Sequence, residues 1–194
     1  MIKIELGTTD YEVGGLTIDQ WSEINKWDEE KRQWGNVDLI SLMLNVELDE
    51  VKKATIKQIN FVGNFLQKYV VEKSQKSELK MLIKTEDEIL GLIKPQELTY
   101  GEYVDLETLI AMKPLNMKHI SAILYRPTTE HDEVTGESKL VPYDYNECLQ
   151  RSEDMGNFYV GDTLAALFFL IIYNQKLVEG FHESMVKNQK EMTE

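Results

Sequence analysis

Residues 98–127, LTYGEYVDLETLIAMKPLNMKHISAILYRP, read as two consecutive helices joined at Lys113–Pro114 and stopped at Arg126–Pro127. Thr99 and Glu102 have the spacing of a capping box, in which hydroxyl and carboxylate each satisfy a backbone N–H that the first turn leaves without a partner. Tyr103, Leu106, Leu109 and Ile110 then recur at helical spacing as one apolar face. Met117, Ile120, Ile123 and Leu124 make a second face after Pro114. A proline ring pushes the residue before it out of the α region, so this helix is expected to end about Arg126. Two roles for Arg126 follow. Its guanidinium can meet the last helical carbonyls and hold a nearby carboxylate, locking the helix end while Pro127 directs the chain away. Alternatively, it is presented to a partner.

Toward the N-terminus, residues 1–6 alternate apolar and polar as a half-buried strand does. Tyr11 and Val13 return as its partner across the turn chemistry of residues 7–10. Gly14 and Gly15 break the chain, and Thr17 with Gln20 repeats the capping-box spacing before a helix carrying Trp21, Ile24, Trp27 and Trp34. These tryptophans either pack on neighbouring helices or form a partner surface. A helix from Asn36 places Leu39, Met43 and Val46 on its apolar side, and residues 48–54 read as a short helical turn. Thr55 with Gln58 opens a longer helix whose stripe is Ile59, Val62, Leu66 and Tyr69. The Ser/Lys-rich stretch 72–80 reads as a flexible joint. Residues 79–83 and 89–93 then form a β-hairpin around Thr85-Glu86-Asp87.

Beyond Pro127 a polar loop leads to a strand at 139–143, so Pro127 and Pro142 bracket an exposed two-stranded excursion. Residues 144–154 read as helical. A last helix starts near Asp162, whose carboxylate is suited to cap it. Residues 164–172 are apolar on every side, which implies burial all round. Leu177, Val178, Phe181 and Met185 continue a narrower stripe. The fold expected is mainly α within the α+β class, a multi-helix globular domain with small antiparallel β-hairpins. It is read as one domain over 1–194, with a strand and helical layer at 1–75, the hairpin at 76–97, and the central pair, excursion and long helix at 98–194.

Composition narrows the function. The chain has 194 residues, 42% of them hydrophobic, and a net charge of −13 from 34 acidic and 21 basic side chains. Tracking phosphates requires clustered Lys and Arg, so a nucleic-acid surface is disfavoured, whereas a basic protein partner is not. Cys148 is the single cysteine, so neither an intrachain disulfide nor a thiolate metal site can form, consistent with a reducing cytoplasm. The N-terminus lacks the apolar run of a signal peptide. The longest apolar run, residues 164–173, is about half of the ~20 residues that span a bilayer. Glu130, His131, Asp132 and Glu133 concentrate metal-capable groups, but adjacent residues point apart. His119 and His182 have no evident acidic partner, and no phosphate-binding loop or nucleophile motif occurs. No catalytic, cofactor-binding or metal-binding residue is therefore expected.

Three phrases resemble a family of small bacteriophage proteins. They are LTIDQWSEINKW at 16–27, VDLISLMLNVELDEVKKATIKQINFVGNFLQK at 37–68, and LTYGEYVDLETLIAM with MKHISAILYRP at 98–112 and 117–127. Their order is similar to tail-morphogenesis proteins of tailed phages, of the tail assembly chaperone or baseplate-hub assembly type. The resemblance is one of core positions and does not reach residues 179–194. It implies a non-enzymatic factor that binds other virion proteins, such as tail, tape-measure or baseplate components, in the host cytoplasm, with homo-oligomerisation open. Tyr125, Arg126 and Pro127 are the characteristic positions it carries over, with Trp21, Trp27 and Trp34 as further partner-binding candidates. A virion-resident structural protein is the alternative, followed by an unrecognised enzyme or an acidic inhibitor of a host protein.

Overall fold

The computed structural model describes residues 2–30, 35–75, 78–132, 135 and 137–191, with backbone alone at 28–29, 70–71, 73–75 and 177–191. Among these residues are eight α-helices and two small antiparallel sheets, an α+β arrangement. Strands β1 (Ile2–Leu6) and β2 (Thr9–Val13) form the first hairpin. Its turn is only Gly7-Thr8, and Gly7 takes φ +66, the left-handed region that glycine enters without a Cβ clash. Thr9 and Asp10, expected in the turn, are already strand residues.

The local helix signals hold. Thr17 and Gln20 cap α1 (Ile18–Glu29) reciprocally, with N···O distances of 3.1 and 3.2 Å. Helix α2 (Asn36–Leu44) ends at Asn45, itself left-handed at φ 53, and α3 (Leu48–Val51) is the short turn after it. Thr55 and Gln58 open α4 (Ile56–Gln75), which buries Val62 and Leu66 as its stripe predicts. Helix α4 runs three residues past Glu72, into the stretch expected to be a flexible joint, because its backbone ladder needs no apolar partner to continue.

The hairpin of β3 (Leu82–Lys84) and β4 (Ile89–Leu92) forms as expected, with Thr85 Oγ1 accepting from the Asp87 and Glu88 amides. Helix α5 (Tyr100–Ala111) carries the Thr99–Glu102 capping box, and α6 (Met117–Leu124) follows. Here the expected boundary moves. Strand β5 (Tyr125–His131) begins directly at the end of α6, so Arg126 is a strand residue opposite Gly91 of β4. The excursion is therefore not free-standing. β5 pairs with both β4 and β6 (Ser138–Leu140), giving a four-stranded sheet in the order β3-β4-β5-β6. A backbone group at the end of α6 finds its partner just past β4, as Ile93 N donates to Leu124 O at 2.9 Å.

Helices α7 (Tyr145–Ser152), capped by Asp144, and α8 (Val160–Glu191) complete the chain. Asp162 does not cap α8. It lies in the first turn and receives Lys80 Nζ at 2.7 Å. The start of α8 is tied to the N-terminal segment by Ile18 N to Phe158 O at 2.8 Å and Val160 N to Leu16 O at 2.9 Å. Tyr159 lies over Gly14 and Gly15 so closely that a Cβ at Gly14 would overlap its hydroxyl.

One helix is enclosed, but it is α6 rather than α8. Met117, His119 and every residue from Ile120 to Leu124 are buried, with α1, α5, α7, α8 and the turn at 153–157 packed around them. Helix α8 instead buries Ala166, Leu167 and Leu170 while leaving Phe168 59% and Ile172 51% exposed. Composition misleads there because α8 has neighbours on only part of its circumference. The contiguous core runs from Ile4 to Leu170 and draws on all three segments of the chain. No helix among the described residues is long and apolar enough to cross a membrane.

Candidate functional site

Tyr125, Arg126 and Pro127 sit where α6 becomes β5. Tyr125 is fully buried, and its hydroxyl donates to Lys80 O at 2.9 Å. Burial, then the nearby Asp162 charge, pushes its phenol far above the usual value. Arg126 is 6% exposed, and its Nη2 lies 3.0 Å from Oε1 of a fully buried Glu102. The contact is an ion pair without hydrogen-bond alignment, since neither Glu102 Oε1 nor Arg126 Nε has a hydrogen-bond partner. The other carboxylate oxygen, Oε2, accepts from Thr99 N at 2.6 Å. Glu102 thus caps α5 and ties its first turn to the start of β5. Arg126 therefore has a nearby acid, and the Tyr125 hydroxyl and the Arg126 Nη2 are engaged inside the fold while Nε is left without a hydrogen bond.

Of the tryptophans, Trp27 is 5% exposed and its Nε1 donates to Glu23 Oε1 at 2.8 Å, while Trp21 packs half-buried against the core. Trp34 lies outside the described residues, beyond the end of α1 at Glu29.

His119 is 2% exposed, with its ring 5.1 Å from that of Tyr145 and its Nε2 without a hydrogen-bond partner. Burial holds its pKa below the usual 6.5, against an opposing pull from Asp105. Above pH 6.5 the ring is neutral in folded and unfolded chains alike. Below that, the unfolded chain takes up the proton first, so stability is lost as pH falls from 6.5 toward the depressed folded value. This one group contributes a slope of at most about 1.4 kcal/mol per pH unit. Urea midpoints measured between pH 7.5 and 5.5 are expected to fall less steeply for His119→Gln than for the parent. Parallel profiles would show that His119 does not couple folding to pH.

The remaining reactive groups are engaged or shielded. The Cys148 thiol is buried beside Ala122 O and Arg151, and burial raises its pKa although Arg151 opposes this. Such a thiol stays protonated and weakly nucleophilic. Tyr143 donates to Asp105 at 2.5 Å, and burial followed by that hydrogen bond raises its phenol. His131 Nδ1 meets Ser138 Oγ at 2.8 Å across β5 and β6, and Asp132 Oδ1 accepts from Thr135 N at 3.2 Å. Glu133 and the His182 side chain lie outside the described residues. Among the described residues no three His, Cys, Asp or Glu groups converge.

Two of the concave surfaces among the described residues are of interest, the largest of the three, about 950 Å³ between α1 and α2, being lined mostly by polar side chains. Between α5 and α8 lies an apolar groove of about 310 Å³, with Leu106, Leu167 and Leu170 deep and Tyr103, Ile110 and Ile171 at its rim. The expected single face of α5 is therefore split, with Leu106 and Leu109 in the core but Tyr103 and Ile110 43% and 38% exposed. The second is a cleft of about 760 Å³ between the β3–β4 turn, residues 153–159 and the start of α8. Lys80 crosses its inner wall, paired with Asp162 and 5.6 Å from the centre of the Tyr159 ring. Neither was legible beforehand. The apolar content of α5 and α8 was the available signal, and it pointed to core. No protein-family model, no curated protein and no solved structure matches the chain.

Proposed function

We propose that this chain is a bacteriophage morphogenesis factor that acts by binding other virion proteins, in tail or baseplate assembly. The observation that carries the protein-binding part is the apolar surface shared by α5 and α8. Tyr103, Ile110 and Ile171 line the groove, and Phe168 and Ile172 extend the same apolar character along α8 beyond it. A small molecule filling 310 Å³ would leave those outer side chains in water, so the surface suits a larger occupant. An amphipathic helix fits, with anchors at i, i+3/i+4 and i+7 entering the groove and its flanks covering the rest. The phage context rests on the resemblance of residues 16–27, 37–68, 98–112 and 117–127 to tail-morphogenesis proteins.

Co-expression with the tail, tape-measure and baseplate proteins encoded beside it is expected to yield a co-purifying complex. Phe168→Asp and Ile171→Asp alter exposed positions, so each should melt close to the parent yet lose that complex. If no such protein co-purifies, or if the complex survives both substitutions, the assignment is wrong. Mass spectrometry of purified particles separates the two forms of the reading. A chaperone is missing from them, whereas a virion-resident protein is present in fixed stoichiometry.

A further inference from the structure

We propose that the outer face of α4 docks into the acidic cleft of a second copy of this chain. Helix α4 already has a core side, where Val62 and Leu66 are buried. A surface helix packed on one side is expected to be polar on the other. Here the outer side carries Phe61, 73% exposed, and Phe65, 42% exposed, following Lys57 at successive i, i+4 positions. Its charge is equally out of character. Residues 52–71 contain four lysines and no acid in a chain of net charge −13. Lys52 and Lys53 pair locally with Asp49 and Glu50, and Lys68 is 3.8 Å from Glu72, but Lys57 has no ion pair among the described residues.

The cleft has the opposite character. Its mouth holds the carboxylates of residues 86–88 and of Glu153 and Asp154. With Lys80 paired to Asp162, Lys84 is the one lining lysine left to offset them, joined from outside the cleft by Lys118, 4.0 Å from Glu153. Below them lie Met155 and Phe158, an apolar floor for an aromatic side chain. A knob of phenylalanines flanked by lysines thus matches an apolar-floored cleft rimmed with acids. The two surfaces belong to different elements, so the contact is either made twice, reciprocally, across a two-fold axis, or made head to tail, closing into a ring or propagating as a filament. The same Lys-Phe face has the chemistry of a single-strand nucleic-acid platform. The strongly acidic chain around it opposes a polyanion, whereas it supplies the complement for a second copy.

Sedimentation velocity tests this without any partner and independently of the α5–α8 groove. The wild-type chain should form a reversible species larger than the monomer at low ionic strength. That species should recede in 1 M salt, where screening shortens to about 3 Å. Phe61→Asp should abolish it, as should the paired reversals Lys57→Glu/Lys68→Glu on the knob and Glu86→Lys/Glu88→Lys in the cleft. All these positions are exposed, and circular dichroism melts close to the parent's will show that each variant folds. Mixing the two charge-reversed chains should restore association, because the unchanged knob of one meets the unchanged cleft of the other and the two reversed surfaces are again opposite in charge. A wild-type chain that stays monomeric at hundreds of micromolar would overturn the proposal. So would assembly that ignores the cleft reversal, mixed chains that remain apart, or a monomer that binds a labelled single-stranded oligonucleotide through Phe61.

Discussion

Replacing Arg126 with alanine is expected to destabilise the fold by about 3–5 kcal/mol, the usual result of removing one partner from a buried ion pair. For a chain of this size that corresponds to a fall in melting temperature of roughly 6–20 °C. The physical reason is Glu102. Its carboxylate is fully buried, and Oε2 stays committed to the Thr99 amide whatever stands at position 126. Without the guanidinium 3.0 Å from Oε1, a charge is left in the interior without a counter-charge. Arg126→Lys keeps the charge but reaches with a single ammonium rather than a planar fork, so it should recover only part of the loss. Combining Arg126→Met with Glu102→Gln removes both charges and should melt well above Arg126→Ala, because no lone charge remains. If alanine at 126 melts within a degree of the parent, the pair does not stabilise the fold. The residue would then have to be sought in an interface formed by some other conformation.

Leu167→Asp is the second large effect, expected at about 4 kcal/mol or more, enough to leave little folded protein at 37 °C. Leu167 is 8% exposed at the base of the α5–α8 groove, where a carboxylate meets Leu106 and Leu170 rather than water. The neighbouring Phe168→Asp replaces a larger apolar side chain, yet should stay within about 0.5 kcal/mol of the parent because that position faces solvent. The contrast between adjacent residues is the measurement. Chemical denaturation should give a greatly lowered midpoint for the first and a near-parental one for the second. Soluble, cooperatively folding Leu167→Asp protein of unchanged midpoint would show that this part of α8 is not core at all. Equal damage from both substitutions would show that α8 is enclosed, as its composition alone suggests.

That pair of residues also marks where sequence stops deciding structure. Several interactions three residues apart are legible in the sequence. The reciprocal Thr17–Gln20 and Thr99–Glu102 boxes and the Thr55–Gln58 opening form because their donors and acceptors lie within one helical turn, whatever packs outside. The strand alternation of residues 2–6 and the turn chemistry around Thr85 are local in the same sense. The α+β class follows from these signals alone. Tertiary structure decided the rest. Glu102 and Arg126 stand 24 positions apart, and only the α5–α6 hairpin with β5 starting at Tyr125 brings them to 3.0 Å. The excursion after Pro127 joins a sheet because β4 offers it an edge, which no pattern within residues 127–143 encodes. Helices α6 and α8 are both rich in aliphatic residues, yet one is enclosed and the other presents Phe168 to solvent. Apolar content states that a surface favours leaving water. Whether this chain or another molecule covers it depends on how many neighbours the fold places around the helix.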